Sequence, residues 1–323
     1  MTDATDSDES ERLGENEPET ALPDPIDYTA SVFPGPTGQV PSYFAEPVVA
    51  LEKALGKPVW VLVQRGHVPP FHHIERPLRD GLFRERGAMQ ECASGAALII
   101  DSPGGDAQSA FQIAKLFRRH CGGFCAVVPR MAKSAATLVV LGADELMMGR
   151  DAELGPLDAQ IFDPDREGVG SALDEVQALE RLNSVALDLS DQAMFLLIGR
   201  TGKKVDTLLP TVMRFVSDLM NPLLDKIDTI HYTQYSRVLK VAEDYATRLL
   251  EPRYTEEQAK HIARRLVNNY SEHGFVLDKD EVGEMLTLTE PSPDVQSLVD
   301  TLEDVLTFDR SLMAIGRIQP KEA

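Results

Sequence analysis

The sequence predicts an α/β protein in which a core of parallel strands is followed by a mostly helical C-terminal half. Two patterns predict it: short apolar runs alternate with helical periodicity between residues 96 and 148, and amphipathic helices fill the chain after about residue 170. Alternating strands and helices at this spacing indicate parallel pairing with right-handed crossovers. We expect an acidic tail (1–27), an α/β core (28–165) and a helical region (166–323).

Composition restricts the classes of partner. The chain has 323 residues and a formal net charge of -20, and residues 1–27 hold ten acidic residues and one arginine. Such a segment buries too little apolar area to fold, so it is predicted to be disordered. The acidic balance opposes binding to nucleic acid, which needs a basic surface. We therefore expect a protein or peptide partner and no nucleic acid.

The cysteine count and the start of the chain indicate a reducing compartment. Three cysteines, an odd and low number, argue against a disulfide framework, and Cys121 and Cys125 have no second pair to complete a zinc site. The first residues lack the features of a signal peptide. No run of eighteen apolar residues occurs, so no membrane insertion is expected. These observations predict a cytoplasmic protein without a metal or other cofactor.

The first part of the core is predicted as a helix, a strand and a mixed segment. Residues 44–56 read as a short helix and 59–63 as a buried strand. The segment 65–95, rich in proline, is predicted as a loop followed by a helix near 82–93. Its histidine pair, His72 and His73, is interpreted as exposed on the loop.

The pattern from residue 96 onward is sharper. It predicts strands at 96–100, 124–128 and 145–148 and helices at 106–119 and 134–143. A Pro-Gly-Gly turn joins the first of these strands to the following helix. Gly104 and Gly105 let the backbone bend sharply, and the free N–H groups beyond them suit an anion, including the oxyanion of a tetrahedral intermediate. A tight turn needs glycine without chemistry as well, so both interpretations stay open.

Ser134 is the candidate nucleophile. It precedes a helix of small residues, where a serine is commonly an N-cap. Ala135 and Ala136 would let a substrate backbone approach the hydroxyl, and the Ala135 N–H is a candidate oxyanion donor. Asp158, in the loop Leu-Gly-Pro-Leu-Asp, either orients a base or caps a turn.

The helical half contains a seam of apolar residues at near-heptad spacing. Further helices are expected at 203–220, 223–250, 255–269 and 280–286, with a break at Asn221 and Pro222. Helices of this length either cover a site or join subunits. The seam consists of Val176, Leu179, Leu182, Ala186, Leu189, Ala193 and Leu196.

Three segments in this order resemble the Clp/crotonase superfamily, and most closely the serine dehydrogenase proteinase family, relatives of Clp peptidase and signal peptide peptidase A. The matching stretches are IIDSPGGDAQSAFQIAKLF, VVPRMAKSAATLVVLGADELMMG and LGPLDAQI, between residues 98 and 161. A weaker likeness lies at residues 271–286. The resemblance implies a spiral of parallel ββα units, a homo-oligomer and a serine peptidase with Ser134 as nucleophile. It puts oxyanion donors at Gly104, Gly105 and the Ala135 N–H.

The general base is not fixed by the resemblance. Clp peptidase has a histidine after the nucleophile helix, but residues 146–160 hold none here. Signal peptide peptidase A uses a downstream lysine, for which no motif is found. Lys133 adjoins Ser134, but neighbouring side chains on a helix diverge. The candidates are His273, with Asp158 assisting, and the lysines Lys203, Lys204, Lys226 and Lys240.

The sequence leaves three functions open. The first is a serine peptidase that acts on peptides or proteins, alone or with an unfoldase or adaptor partner. The second is a catalytically inactive or partner-dependent oligomeric scaffold, motivated by the missing histidine and the helical seam. The third is a crotonase-like enzyme acting on acyl-CoA, against which the nucleophile-like serine counts.

Overall fold

The computed structural model describes residues 26–321 except 93, 159, 164–167, 271 and 273. The described strands are β1 (Tyr28–Ala30), β2 (Val59–Gln64), β3 (Ala96–Asp101), β4 (Phe124–Val128), β5 (Met131–Ala132), β6 (Glu145–Met148), β7 (Glu153–Leu154), β8 (Gln160–Asp163), β9 (Gly168–Ser171) and β10 (Met313–Pro320). The described helices are α1 (Ser42–Leu55), α2 (Arg76–Arg84), α3 (Arg86–Gln90), α4 (Ala107–His120), α5 (Ala135–Leu141), α6 (Ala172–Thr201), α7 (Val205–Leu224), α8 (Thr229–Leu250), α9 (Glu256–Asn268), α10 (Lys279–Met285) and α11 (Pro293–Phe308). None of these helices is long and apolar enough to cross a membrane. The predicted disorder of the acidic tail falls on residues 1–25, which lie outside the described part.

A six-stranded sheet in the order β1-β10-β2-β3-β4-β6 forms the centre of the fold. Strands β2, β3, β4 and β6 are parallel, whereas β10 and β1 join one edge in antiparallel pairing. Every residue of β2, β3 and β4 is buried, as expected for parallel strands covered on both faces. The predicted α/β fold, with its mainly parallel sheet and helical C-terminal half, is confirmed.

Two helical layers cover the sheet. Helices α1 and α11 pack on one face around Phe44, Leu51 and Leu302. The other face carries α2, α3, α4 and α5, over which α8 and α9 are packed. The glycine turn and the Ser134 motif lie on this second face, so the helical half contributes directly to their surroundings.

The chain ends in a strand that the sequence analysis assigned to the helical region. Strand β10 lies between β1 and β2, with Ala314 opposite Val63 and Ile318 opposite Ala30. Its partners precede it by about 250 residues or more, so no local pattern indicated the pairing. The core and the helical region therefore share one sheet.

Two predicted boundaries around prolines are wrong. A helix was expected near 82–93, but α2 begins at Arg76 and carries Pro77 in its first turn, where the missing N–H costs no hydrogen bond. A break was expected at Pro222, but α7 continues through it to Leu224. The next helix begins after Asp228, whose side chain accepts hydrogen bonds from the N–H groups of Ile230 and His231.

The middle of the predicted seam forms the contact between α6 and α7, whereas Val176, at its start, packs against the core of the sheet. Leu182, Ala186, Leu189 and Ala193 pack against apolar residues of α7. At its C-terminal end the seam differs from the prediction, because Leu197 packs against α7 and Leu196 is 52% exposed. Helix α8 crosses α4 and α5, so this part of the helical half covers the candidate site.

Candidate active site

The Pro-Gly-Gly turn lies directly against Ser134. Gly104 and Gly105 have φ angles of 101° and 146°, which side-chain-bearing residues rarely adopt. A Cβ on Gly104 would lie 2.5 Å from the Lys133 carbonyl oxygen and 3.0 Å from Ser134 Cβ. A Cβ on Gly105 would clash with the carbonyl oxygen of Ile74. Both glycines are therefore required by the close approach of neighbouring backbone.

Ser134 is held in an unusual backbone conformation. Its φ of 50° and ψ of -119° make it the one non-glycine residue with positive φ among those described. It occupies the N-cap position of α5, yet its side chain makes no capping hydrogen bond. The expected alternative of a simple cap is therefore not realised. Strained conformations of this kind cost about 1–3 kcal/mol and cluster at functional sites.

Two backbone donors flank the serine. The N–H groups of Gly105 and Ala135 donate no hydrogen bond to another described residue. The neighbouring groups, by contrast, are bonded: the Asp106 N–H donates to the Ile74 carbonyl at 2.7 Å, and the Ala136 N–H to the Lys133 carbonyl at 2.9 Å. Two free N–H groups near one serine are the donor pair that the sequence analysis expected for an oxyanion.

A cavity of about 970 Å³ opens in front of Ser134. Its apolar wall is formed by α5, the loop after β7 and one face of α8. Residues of the β2–α2 loop and of α4 complete it. The lining residues are His73, Glu75, Arg76, Pro103, Gly105, Asp106, Ala107, Gln108, Ser134, Ala135, Leu138, Leu157, Asp158, Arg237, Val238, Val241, Ala242 and Tyr245.

Asp158 lies on the same cavity and is only 2% exposed. Its loop is fixed by the Leu157 N–H, which donates to the Leu266 carbonyl of α9 at 2.8 Å. Gly155, earlier in the loop, is bonded to the buried hydroxyl of Thr137 on α5. The structure thus brings together Ser134, the two glycines and Asp158 from three separate motifs.

The first candidate base, His273, lies outside the described residues. Residues that follow it in the chain are hydrogen-bonded to Leu154 and to Lys133, which precedes Ser134. Leu277 exchanges backbone hydrogen bonds of 2.9 and 3.1 Å with Leu154, and the Phe275 carbonyl accepts one from Lys133 Nζ at 3.4 Å. The likeness noted at residues 271–286 therefore belongs to a segment that adjoins the site.

The candidate lysines do not reach the cavity. Lys203, Lys204 and Lys226 are exposed, and none of the four downstream lysines lines the cavity. Lys240 faces away on α8, within 3.3 Å of Glu243 and 3.1 Å of Asp244. Lys133 directs Nζ to Glu153 at 3.0 Å. A lysine base would need a desolvated amine near the nucleophile, and these amines are instead exposed or paired.

His73 is a cavity residue that the sequence analysis missed. It was interpreted as an exposed loop histidine, but it is half-buried and lines the cavity with Ser134. The next residue, Ile74, is bonded to both sides of the glycine turn: its N–H donates to Gly104, and its carbonyl accepts from Asp106. Burial, and secondly the neighbouring His72, lower the pKa of His73. The local sequence carried no signal for this burial, because the covering residues come from distant segments.

A buried polar chain supports the glycine turn from below. The Ser102 hydroxyl donates to Gln64 Oε1 at 2.6 Å and accepts from the Gly104 N–H at 3.1 Å. The Gln64 amide in turn donates to the Phe71 carbonyl at 2.6 Å, within the loop that carries His73. Buried polar groups paired in this way fix the geometry around them.

An ion pair lies beneath the same turn. Asp101, the last residue of β3, is fully buried, with a carboxylate oxygen 3.7 Å from a guanidinium nitrogen of Arg65. Burial raises the pKa of Asp101 to about 7, and the charge of Arg65 acts in the opposite direction. The turn that carries the glycines thus begins at a buried ionisable group.

Comparison with known proteins agrees with this geometry. Residues 89–221, less than half of the chain, match the model of a family described as ClpP-like SDH-type serine proteinase. The matched segment includes all three motifs on which the resemblance was predicted. The predicted family resemblance is therefore confirmed, and a protein of the serine-proteinase kind is supported.

The chain is also similar to two archaeal proteins of Methanocaldococcus jannaschii. These are Uncharacterized protein MJ0137, 27% identical over 188 residues, and Uncharacterized protein MJ1495, 26% identical over 188 residues. The aligned part is 58% of this chain and 51% and 49% of the relatives. The chain thus spans about half the length of the curated relatives it matches.

Proposed function

We propose that this protein is a serine endopeptidase in which Ser134 is the nucleophile. The observation that supports it most is that three features occur together at Ser134. Its backbone is strained, its hydroxyl makes no capping hydrogen bond, and two free N–H groups lie near it. A serine that served only as a helix cap would need none of these. The confirmed family resemblance supports the same class of reaction.

The proposed reaction follows from this geometry. Ser134 Oγ attacks the substrate carbonyl while a histidine accepts the hydroxyl proton. The N–H groups of Gly105 and Ala135 bind the oxygen that becomes negative. The protonated histidine gives its proton to the leaving amine, and water then hydrolyses the acyl-enzyme by the same steps.

The proposed base is His273, with Asp158 as the carboxylate that orients it. This assignment is supported by the bonds that hold the neighbouring Phe275 and Leu277 beside Lys133 and Leu154. His73 is the second candidate, because it lines the cavity. Because its pKa is lowered, His73 would stay neutral to a lower pH than an ordinary histidine. In its neutral form it would be able to accept a proton.

The proposed substrates are peptides or proteins with an apolar side chain beside the bond that is cut. Leu138, Leu157 and Val241 give the cavity an apolar wall next to Ser134. Its volume accommodates several residues of a peptide. We propose that the chain works in the cytoplasm, alone or with an unfoldase or adaptor partner. Its three buried free cysteines support a reducing compartment.

Labelling with a fluorophosphonate probe, followed by peptide mapping, tests the proposal. We expect the label on Ser134 of the wild type and on no residue of Ser134→Ala, while Ser297→Ala, an exposed control on α11, labels normally. Peptide hydrolysis by Ser134→Ala should fall by about a thousandfold or more. Folded wild-type protein that takes no label and cleaves no peptide would favour the scaffold alternative.

The same assay separates the two histidines. His273→Gln should abolish labelling, whereas His73→Gln and the control His72→Gln should retain most of it. The reverse pattern would assign the role of base to His73. The rate of labelling would then decrease on the acidic side below pH 6.5, the usual histidine pKa, because the pKa of His73 is lowered. Circular dichroism confirms that each variant is folded.

A further inference from the structure

A second cavity of about 490 Å³ lies between α2 and α4, away from Ser134. We call it the basic groove, and its lining is cationic and aromatic. Lys115, Arg119 and His120 come from α4, and Arg79, Asp80 and Phe83 from α2. The serine mechanism uses none of these residues.

Two cations of the basic groove, Lys115 and Arg119, have no acidic partner among the described residues. Lys115 and Arg119 are both exposed, and neither forms an ion pair with any described residue. They stand four residues apart on α4, where two like charges destabilise a helix. Of the lining cations only Arg79 is paired, with Asp80. In a chain whose net charge is -20, two adjacent unpaired cations form a local surface that attracts an anionic group.

Aromatic rings give the groove an apolar floor. Phe83 is 50% exposed, with the guanidinium of Arg86 at 5.0 Å from its ring. Phe111 has Arg248 at 4.7 Å from its ring. The exposed ring of Phe83, bordered by cations, suits a peptide that combines carboxylates with an occasional apolar side chain.

The chain itself contains a peptide with this chemistry. Residues 1–25, here called the acidic segment, hold nine acidic residues and one arginine. Leu13 lies among them, between Glu11 and Glu15. The acidic segment thus offers carboxylates that complement the cations of the basic groove and an apolar side chain that complements its aromatic rings.

The chain that follows the acidic segment leads to the helix that lines the basic groove. Val32, seven residues after the acidic segment, packs against Gly81 of α2, where a Cβ would lie 2.6 Å from the Val32 side chain. Gly81 is adjacent to Asp80 and two residues from Phe83, which line the groove. Since an extended residue spans about 3.3 Å, the seven residues up to Val32 cover at most about 23 Å, and the 25 residues of the acidic segment are long enough to span this distance. Such tethering gives a high effective concentration at the groove.

We propose that the basic groove binds the acidic segment of the same chain, through Lys115 and Arg119. Carbodiimide crosslinking of the full chain tests this, because it joins carboxylates to lysine amines without a spacer. We expect crosslinks from residues 1–25 to Lys115 well above those to Lys53, an exposed reference lysine on α1 across the sheet. Arg119→Glu, which keeps Lys115 as the reporter, should lower that yield about fivefold, and 1 M salt should act likewise.

Matched variants and labelling decide the outcome. Lys53→Glu should leave the crosslinks to Lys115 unchanged. In a mixture of isotopically heavy and light protein, the crosslinked peptides should come from single chains. The proposal is overturned if Lys115 and Lys53 react equally, if Arg119→Glu has no effect, or if the crosslinks join different chains. Because the readout is chemical, it does not depend on peptidase activity.

Discussion

The residues around Ser134 are constrained by backbone rather than by side-chain contacts. Gly104 faces the Lys133 carbonyl and the Ala135 N–H, so the turn and the serine motif approach as closely as two main chains can. The Ala135 N–H is free because Ala135 is the first residue of α5, where a helix N–H has no intrahelical acceptor. The Gly105 N–H is free in a turn whose φ of 146° departs from regular helix and strand geometry. At this scale, side-chain volume at a single position decides whether the site can form.

Replacement of Gly104 by alanine should disrupt the site. The new Cβ would meet backbone atoms of Lys133 and Ala135 at 2.5 and 3.0 Å, in addition to the strain of a φ near 101°. We expect a loss of stability of about 1–3 kcal/mol from strain alone, and more from the clash, in urea unfolding. Labelling of Ser134 should be lost.

Gly95 provides a matched control for this substitution. It has a similar φ of 109°, but a Cβ added at this position would have no atom within 4 Å. Gly95→Ala should therefore show the strain cost alone and retain labelling of Ser134. Equal effects of the two substitutions would contradict the close-approach argument.

The elements of the site are tied together by buried hydrogen bonds. Helix α5 carries the backbone next to Ser134, and the loop after β7 carries Asp158. Thr137 joins them, because its buried hydroxyl lies 2.7 Å from the Ala132 carbonyl oxygen and 2.8 Å from that of Gly155. It donates to one of these and accepts from the Gly155 N–H at 3.3 Å.

Thr137→Val should therefore weaken the link between the two elements. Valine keeps the shape but leaves the buried Gly155 carbonyl without its hydrogen-bond donor, at a cost of about 1–3 kcal/mol. The Ala132 carbonyl keeps the hydrogen bond of 3.0 Å from the Gly155 N–H. Denaturant unfolding measures this cost, and fluorophosphonate labelling should slow as well. Thr301→Val, which removes an exposed hydroxyl on α11, should change stability by less than about 0.5 kcal/mol. A neutral Thr137→Val would show that the loop is held by other contacts.

The whole molecule presents a large apolar surface on the α6–α7 pair. Phe195, Leu187 and Phe215 are 82%, 62% and 55% exposed, and further apolar residues of α7 lie beside them. The inner seam already packs the two helices against each other, so these side chains face outward. Exposed apolar patches of this kind mark interaction sites. We propose that this surface joins copies of the chain into a homo-oligomer.

Size-exclusion chromatography with light scattering tests the assembly. The wild type should elute as an oligomer, and Phe195→Asp with Phe215→Asp should shift it to a smaller mass, because a buried unpaired carboxylate is costly. Phe308→Asp is the control, since Phe308 is 84% exposed but lies at the end of α11. A wild type that is monomeric at all concentrations would contradict the proposal.

The sequence by itself determined the order of elements from residue 96 to 148, except for the two-residue strand β5, and the positions of the glycine turn and Ser134. These depend on local periodicity and on residues whose backbone requirements are short-range. It also determined the α6–α7 seam for most of its length, because helical spacing repeats along the chain.

Only the tertiary structure decided the features that depend on distant segments. Strand β10 joins the sheet through partners from the start of the chain, His73 becomes a cavity residue, and α8 covers the site. The lysines are kept from the cavity in the same way: Lys240 lies on a face of α8 turned away from it, and Lys203, Lys204 and Lys226 lie in the exposed connections that flank α7. Burial and contact between distant segments arise when the whole chain packs, and no local window of sequence records them.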